Sequence, residues 1–414
     1  MGVTHSFITE WDNAPKSIMQ FERNVTPESA RETFKRMANH EIPNPDDYSW
    51  VCRKAAAHYN TLPNHVDIDV DPGDRVIFVG DLHGCFESLI RLFLGDPSKG
   101  IQPTGFPGDI VGGRRNVYLF NGDFIDRGGS GYQIVFALAL FSVSNGDCCL
   151  MNRGNHESDM FGLSTQSGIG NKYMLEVAGK FPALDFTHYR PATCDFFYSL
   201  PIAHTFDGNI FVVHGGVPMG NDLSGVPRAA PTYFSPGTPQ NIPRNLKPYV
   251  LSNLDTLVPT RQQTTNFEDN PRRQSELWHS FVWSYDRMPY SADFMEANKI
   301  KTMVHSHTAT PYHQITTFLP MDKPGEKYAV HSVVKSDEMF QRVKAFFDTH
   351  QLADSTKLCI LEIFSSPTNN GSVYAAVINA KAGPKGKKLE FDPFKWDYVY
   401  LGAAADYTFV QTGQ

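Results

Sequence analysis

From Arg75 the sequence reads Arg-Val-Ile-Phe-Val-Gly-Asp-Leu-His, ending at His83. Four apolar side chains in a row stop at Gly80, and a carboxylate and an imidazole follow. A short apolar run bounded by glycine and polar residues is typical of a buried strand. The run therefore predicts a strand that presents Asp81 and His83 at its carboxyl end.

The same arrangement of an apolar run and a polar loop recurs along the chain. The other runs lie at residues 116–120, 148–152, 209–213 and 301–304. Helical patterns lie between some of them, at 85–94 and 130–143. Alternating strands and helices are typical of α/β proteins, in which polar side chains gather at the carboxyl ends of strands. We therefore predict an α/β fold with a functional site at the strand ends.

The five loops together carry side chains suited to metal binding. Carboxylate, amide and imidazole groups suit Mn, Fe, Zn or Mg. Two ions about 3.5–4 Å apart need a shared ligand, and a carboxylate such as Asp123 can bridge them. A single loop of this kind is often only a turn or a helix cap, but five such loops are costly to bury without ligands. The polar residues in the loops are Asp81, His83, Asp123, Asp126, Arg127, Asn155, His156, His214 and His307.

Composition narrows the classes of protein. Of the 414 residues, 41% are hydrophobic and 20% charged, which excludes a disordered or collagen-like chain. The formal net charge of −7 argues against a nucleic-acid binder that works by overall charge. The six cysteines form no disulfide framework, and the sequence shows neither an 18-residue apolar run nor a signal peptide. These features predict a cytoplasmic protein.

The N-terminus carries a lipidation pattern. The first residues read Met-Gly-Val-Thr-His-Ser, which matches the myristoylation pattern with Gly2 as the acceptor and serine at position 6. We expect acylation of Gly2 and peripheral membrane association. The alternative is an unmodified, exposed terminus.

Three segments resemble the signatures of the PPP-family serine/threonine protein phosphatases. Gly80–Gly84 reads GDLHG and resembles the GDxHG motif. Gly122–Gly128 reads GDFIDRG and resembles GDxVDRG, while Arg153–Glu157 reads RGNHE, as the third motif does. The pattern is most similar to the phosphatase-5 branch, although the sequence contains no TPR repeats or EF-hand loops.

The resemblance implies a calcineurin-like metallophosphoesterase fold, an α/β sandwich of two mixed sheets flanked by helices. It also implies two divalent metal ions per chain, for which Mn, Fe and Zn are candidates. The first ion would be held by Asp81, His83 and the bridging Asp123. The second would be held by Asp123, Asn155, His214 and His307.

The resemblance further implies how phosphate is handled. A water made acidic by both metals attacks phosphorus in one in-line step. Arg127, with its fork of donors, binds phosphate oxygens, and Asn155 also contacts the substrate. His156 protonates the leaving alkoxide and is oriented by Asp126.

Some segments depart from the family pattern. The arginine of the R-[SA]-H segment is His305 here, and the tyrosine of the FSAPNY loop has no counterpart in residues 365–370. A second phosphate-binding arginine normally follows the tryptophan segment, where this chain has Arg287 as the candidate. These departures affect substrate recognition and leave the metal ligands intact.

The chain divides into four predicted parts. A flexible N-terminus of residues 1–25 precedes a helical prefix of 26–66, which begins with the start signal Thr26-Pro27. The catalytic domain covers 67–380 and contains two long insertions. These insertions are 218–271, which is proline-rich and offers a surface for a regulatory partner, and 319–356. An aromatic-rich C-terminal tail of 381–414 is expected to dock on the body.

The leading function is hydrolysis of phosphoserine and phosphothreonine in a phosphoprotein substrate. The alternative is a nucleotide phosphohydrolase resembling the diadenosine tetraphosphatase (ApaH-like) branch, which shares the metal motifs. Arg153 and the strands after His307 favour the protein phosphatase, and phosphotyrosine remains open as a substrate. A third reading is a non-catalytic scaffold, against which the complete ligand set argues.

Overall fold

The computed structural model describes residues 9–158, 173–217, 288–308, 314–320, 327–333, 358–367, 372–379, 389–391, 393 and 396–403. Two mixed β-sheets pack face to face, and helices cover their outer faces. This architecture is the predicted α/β sandwich.

The first sheet has seven strands in the order β12-β11-β13-β10-β9-β8-β3. Its pairs β3–β8, β9–β10 and β10–β13 are parallel, and the other pairs are antiparallel. Its strands are β3 (His65–Ile68), β8 (Ala203–Phe206), β9 (Ile210–Val213), β10 (Thr302–His305), β11 (Gln314–Pro320), β12 (Lys327–Val333) and β13 (Leu358–Glu362).

The second sheet has six strands in the order β15-β14-β4-β6-β5, with β7 also paired to β6. The pairs β4–β6 and β6–β7 are parallel. Its strands are β4 (Asp74–Val79), β5 (Ile110–Val111), β6 (Arg114–Phe120), β7 (Cys149–Met151), β14 (Ser372–Asn379) and β15 (Asp397–Ala403). A separate parallel pair joins β1 (Ser17–Ile18) to β2 (Glu41–Ile42).

Helix starts follow the local sequence. Thr26 caps one helix by accepting the Ser29 N–H, and Asn44 caps the next by accepting the Asp47 N–H, each with proline in the following position. The described helices are α1 (Glu10–Asn13), α2 (Pro27–Ala38), α3 (Pro45–Tyr59), α4 (Phe86–Leu94), α5 (Gly131–Asn145), α6 (Tyr173–Lys180), α7 (Phe186–Ser199) and α8 (Met288–Ala297). Within the described part of the chain, no helix is long and apolar enough to cross a membrane.

Strand β4 shows how the layers are held together. Val76 and Phe78 pack between the two sheets, in a cluster that includes Phe206 and Val212 of the first sheet. Successive side chains of a strand point to opposite faces, so Ile77 and its neighbours of the same face join the helical layer formed by α2 to α7. Both faces of β4 are therefore buried, which explains its uninterrupted apolar sequence.

The strand register brings the polar loops to one edge. Val79 of β4 lies beside Phe120 of β6, and Phe120 lies beside Met151 of β7, all in parallel strands. In the other sheet Val212 of β9 lies beside Val304 of the parallel β10. The carboxyl ends of these five strands therefore lie at one edge of the sandwich, as the sequence predicts.

The N-terminal segment, which the sequence predicts to be flexible over residues 1–25, packs against the body from residue 9 onward. Thr9 and Met19 are each 1% exposed, and Trp11 is 8% exposed. Trp11 packs against Phe86 of α4 and donates its indole N–H to the Ala38 carbonyl at 3.1 Å. A single large aromatic side chain thus anchors a segment whose composition is otherwise polar. Gly2 lies outside the described residues.

The predicted C-terminal boundary also changes. The tail contributes β15 to the second sheet, where Tyr398 pairs in register with Ala376 of β14. Trp396 is buried and packs against Phe78 between the sheets. The described part of the tail therefore belongs to the sandwich, because Trp396 is part of the core between the sheets and Phe391 and Tyr398 pack against it.

The insertions are described only in part. Residues 327–333 of the predicted second insertion form β12, which pairs with β11 at the edge of the first sheet. The first insertion, 218–271, lies outside the described residues, as does Arg287.

Candidate metal centre

The loops after five strands bring nine candidate side chains together at the sheet edge. The loop after β4 carries Asp81 and His83, and the loop after β6 carries Asp123, Asp126 and Arg127. Asn155 and His156 follow β7, His214 follows β9, and His307 follows β10. All but Arg127 and His307 are buried, and those two are partly buried. The nine residues that the sequence singles out therefore lie in loops at one edge of the sheets.

Asp123 lies between two groups of ligand atoms. On one side, His83 Nε2 lies 3.6 Å from Asp123 Oδ2 and 3.4 Å from Asp81 Oδ2. On the other side, His214 Nε2 lies 3.2 Å from Asp123 Oδ1. The two oxygens of one carboxylate thus face different imidazoles, as a bridging ligand requires.

Asn155 and His307 complete the second group. The Asn155 Oδ1 lies 3.0 Å from His214 Nε2 and 2.9 Å from His307 Nδ1. It also lies 3.2 Å from each oxygen of Asp123 and faces acceptor atoms only. The Asn155 amide therefore lies among the same side-chain atoms of His214, His307 and Asp123.

The first group contains buried atoms that need a ligand. Asp81 Oδ2 and His83 Nε2 are buried without a hydrogen-bond partner in the described part of the chain. Leaving such groups unsatisfied costs about 1–3 kcal/mol each. Oxygen and imidazole donors of this kind fit divalent Mn, Fe or Zn, so the residues present fit metal ions.

Backbone carbonyls fix which imidazole nitrogen faces the centre. His83 Nδ1 lies 3.1 Å from the Ile125 carbonyl, and His214 Nδ1 lies 2.7 Å from the Asn121 carbonyl. A ring N–H donated to a carbonyl leaves the other nitrogen as the lone-pair donor and holds the ring orientation. The Nε2 atoms of both residues are thereby directed to Asp123.

The electrostatics show a crowded set of buried acids and imidazoles. Burial raises the pKa of Asp81 to about 7 against the opposing effect of His214, and burial with the neighbouring Asp123 raises the pKa of Glu157 to about 7. Burial alone would lower the pKa of His214, but Asp123 and Asp81 raise it to about 9. Burial and the charge of His214 lower the pKa of His307 to about 3. A bound cation would allow the carboxylates of Asp81 and Asp123 to stay ionised together.

His156 and Asp126 form a buried pair beside the ligands. His156 Nδ1 lies 2.7 Å from Asp126 Oδ2, and its Nε2 lies 3.8 Å from Asp123 Oδ2. The other Asp126 oxygen accepts the Tyr173 N–H at 2.9 Å. Burial lowers the pKa of His156, but Asp123 and Asp126 outweigh it and raise this pKa above its usual value. The pair favours an imidazolium that can give up a proton at Nε2.

Arg127 is placed to receive an anion. Its side chain is partly buried and makes no hydrogen bond or ion pair among the described residues. Its positive charge is among the causes that act to lower the pKa values of Asp81, His83, His156 and His307. Free guanidinium donors beside a metal site suit phosphate oxygens.

Several of these residues have a left-handed backbone. The φ angles of His83, Asp123, Asp126, Arg127 and His307 lie between 43° and 67°. For residues other than glycine such conformations cost roughly 1–3 kcal/mol each and cluster at functional sites. At Gly154, a Cβ would lie 2.3 Å from Asp123 N and Oδ1, so only glycine allows this approach.

Glu157 supports the centre through its hydrogen bonds, a role that the sequence does not indicate. It is fully buried and accepts the N–H groups of Asp123 at 2.8 Å, Phe124 at 2.9 Å and Gly154 at 2.9 Å. It therefore ties the loop after β7 to the loop after β6 and holds Asp123 in place. The partners on the β6 loop lie more than thirty residues away in sequence, so no local pattern could reveal them.

Comparison with known proteins points to one family. The family model for calcineurin-like phosphoesterases matches residues 74–311, more than half of the chain. A solved serine/threonine phosphatase of Saccharomyces cerevisiae, described as similar to human phosphatase PP5, superposes with a TM-score of 0.55 at 16% identity. The superposition covers 89% of this chain and 95% of that one, and it supports the fold.

Curated relatives are protein phosphatases. Serine/threonine-protein phosphatase 5 of Arabidopsis thaliana is 33% identical over 156 residues, covering 38% of this chain and 25% of the relative. Phosphatase T of Trypanosoma brucei brucei is 33% identical over 159 residues, covering 37% and 28%. The mouse phosphatase with EF-hands 1 is 25% identical over 289 residues, covering 60% and 39%. The chain thus matches a quarter to about two fifths of the length of these relatives.

Proposed function

We propose that this chain, which belongs to the calcineurin-like phosphoesterase family, hydrolyses phosphate monoesters of phosphoserine and phosphothreonine in proteins. The observation that carries the proposal is that the two oxygens of the Asp123 carboxylate face different imidazoles, that of His83 on one side and that of His214 on the other.

We assign two metal ions to this centre, of which Mn, Fe and Zn are candidates. Asp81, His83 and Asp123 would hold the first, and Asp123, Asn155, His214 and His307 the second. When bound, the ions supply Lewis-acid activation of water and neutralise phosphate charge. The family relationship supports the metals, and the buried Asp81 Oδ2 and His83 Nε2 support their placement.

The chain's own residues handle the phosphate and the proton. The free guanidinium of Arg127 binds phosphate oxygens and orients the ester beside the centre. His156, held at Nδ1 by Asp126, donates the proton at Nε2 to the leaving oxygen. Asp126 keeps this ring oriented and stabilises its charge.

A protein substrate is favoured over a dinucleoside polyphosphate. The curated relatives are named as serine/threonine-protein phosphatases.

In this chain the Arg153 guanidinium packs on the Tyr198 ring at 4.4 Å and donates Nε–H to the Glu157 carbonyl at 3.0 Å. Arg153 therefore braces the loop that carries Asn155 and His156.

The test is a substrate panel with the full chain loaded with Mn. Phosphoserine, phosphothreonine and phosphotyrosine peptides are compared with diadenosine tetraphosphate and p-nitrophenyl phosphate. We expect turnover of the first two peptides, which Asp123→Asn abolishes. Preference for diadenosine tetraphosphate would replace this proposal by the nucleotide hydrolase, and a metal-loaded protein inactive on every ester would favour the scaffold.

We further propose a cytoplasmic protein that associates with membranes through an acylated Gly2. The support is the N-terminal sequence pattern alone. One acyl chain gives only marginal membrane affinity, so a second signal is needed; the lysines at 381–388 or a palmitoylated cysteine are candidates. The proline-rich segment 218–271 is proposed as the surface for a regulatory partner.

A further inference from the structure

The N-terminal segment reaches the loop that carries Arg127. Thr9 and Asp12 form a capping box at the start of α1: the Asp12 Oδ2 accepts the Thr9 N–H at 2.8 Å, and Thr9 Oγ1 accepts the Asp12 N–H at 3.3 Å. The other oxygen, Oδ1, remains free of the helix and accepts the Ser130 hydroxyl. One carboxylate therefore joins the N-terminal segment to a residue three positions after Arg127.

The same contact covers Gly129. A Cβ built at Gly129 would lie 3.2 Å from the Asp12 Cγ, so the carboxylate packs directly against this glycine. Trp11 holds the segment in place from the other side, by packing on Phe86 and by its bond to the Ala38 carbonyl. Lys16 adds three bonds from its ammonium to the carbonyls of Trp11, Asp12 and Ala14. The contact is thus made by an anchored segment.

Arg127 depends on its neighbours for its conformation. Asp126 and Arg127 are consecutive and both left-handed, with φ angles of 67° and 64°. Residues with a Cβ remain in this conformation only where the surroundings determine it. The Arg127 side chain itself makes no hydrogen bond or ion pair among the described residues, so the backbone of its loop sets where the guanidinium lies.

The loop is already held on its other sides. The Gly128 N–H bonds the His83 carbonyl at 2.9 Å, and the Ser130 N–H bonds the Gly84 carbonyl at 3.0 Å. At the start of α5, the Glu176 carboxylate accepts the Gly131 N–H at 2.9 Å. These three bonds come from the body of the protein. Among the described residues, the N-terminal segment contributes the hydrogen bond between the Ser130 hydroxyl and the Asp12 carboxylate.

We propose that Asp12 is a positioning residue for Arg127, acting through Ser130, so that phosphate binding depends on the docked N-terminal segment. The inference rests on the proposed role of Arg127 as the phosphate-binding side chain. It differs from that proposal because Asp12 touches neither the substrate nor the metal ligands.

The experiment measures inorganic phosphate binding to the Mn-loaded full chain by calorimetry. Asp12→Ala should weaken phosphate binding about tenfold, the size expected for one lost hydrogen bond to a charged group. Ser130→Ala should weaken it similarly, and the double variant should be no weaker than either single variant. With a phosphopeptide, both variants should raise KM more than they lower kcat. Asp71→Ala, which removes an exposed carboxylate of an ion pair just before the amino end of β4, is the matched control.

A double-mutant cycle decides whether Asp12 acts through Arg127. In an Arg127→Ala background, Asp12→Ala should cause no further loss of phosphate affinity. Equal losses in both backgrounds would overturn the inference, and so would a fall in metal content, because the segment would then act on the ligands. A wild-type protein that binds phosphate no better than Arg127→Ala would overturn it as well. Because the readout is binding, a chain that binds phosphate but hydrolyses no ester would reject the proposed function and leave this inference standing.

Discussion

Replacing His156 by asparagine tests the proton transfer of the proposed reaction. In the protein, His156 Nδ1 lies 2.7 Å from Asp126 Oδ2 and Nε2 lies 3.8 Å from Asp123 Oδ2. The amide of asparagine reaches about as far from the backbone as Nδ1 does, so its NH₂ group keeps a donor for Asp126. What the variant loses is Nε2, the atom proposed to give the proton.

The expected loss is set by the role of a general acid. Proton donation by a positioned side chain contributes about 10²–10⁴-fold in rate, equivalent to about 3–5 kcal/mol of transition-state stabilisation. The leaving group of phosphoserine is a strongly basic alkoxide, so hydrolysis of this ester needs the whole contribution of the general acid. The leaving group of p-nitrophenyl phosphate is a stabilised phenolate, so hydrolysis of this ester needs little help from a general acid.

The assay compares kcat on a phosphoserine peptide and on p-nitrophenyl phosphate, with metal content measured for each protein. We expect a loss of two to four orders of magnitude on the peptide and a much smaller loss on the aryl ester, with the metals retained. His188→Asn, at an exposed histidine of α7 remote in sequence from the ligand loops, is the matched control. An equal loss on both esters, or loss of metal, would refute the reasoning and reassign His156.

Other expected outcomes follow from the same structure. Asp123→Asn should lower the content of both metals, measured by plasma mass spectrometry, because its two oxygens face different groups of ligands. Removing metal from the wild type with a chelator should lower its melting temperature, since a ligand at 100 times its Kd stabilises by about 2.7 kcal/mol; an unchanged melting curve would contradict a tight site. Phe34→Ala should lower the free energy of unfolding by about 3–5 kcal/mol in urea titrations, because the ring is fully buried against Phe86 and other aromatic side chains, whereas Leu175→Ala, 63% exposed, should change it little. Intact-mass measurement from eukaryotic cells should show an acyl group that Gly2→Ala removes, and an unmodified native terminus would end that proposal.

The α/β class and the polar strand ends could be predicted from local patterns, whereas the two-sheet sandwich was implied by the resemblance to the phosphatase family. Buried strands such as β4 are apolar on both faces, and polar side chains follow within one or two residues of the strand end, so strand and loop are both visible in the sequence. The strand β15 was not predicted, although Trp396, Tyr398 and Tyr400 alternate with the period of a strand. Their aromatic density was read as a docked tail, and the pairing of β15 with β14 is a long-range contact that composition does not show.

The supporting contacts of the site could not be predicted for a different reason. Glu157 accepts backbone N–H groups from another loop, and Asp126 accepts the N–H of Tyr173. A backbone donor is present at nearly every position of a chain, so the sequence does not indicate which one a carboxylate will bind. At the N-terminus a signal was available, because Thr9-x-x-Asp12 has the spacing of a capping box.

The energetics of the centre argue for a metal-dependent catalyst rather than a scaffold. Asp81 Oδ2 and His83 Nε2 are buried without hydrogen-bond partners in the described part of the chain, and five site residues hold a left-handed backbone. Each of these features destabilises the folded chain, by roughly 1–3 kcal/mol. A scaffold built on this fold gains nothing from them, whereas a metal ion would satisfy the unpaired atoms. Arg127, proposed to bind phosphate, lies in the same loop as Asp126, which orients the proton donor His156. A non-catalytic scaffold requires neither a phosphate-binding arginine nor a proton donor.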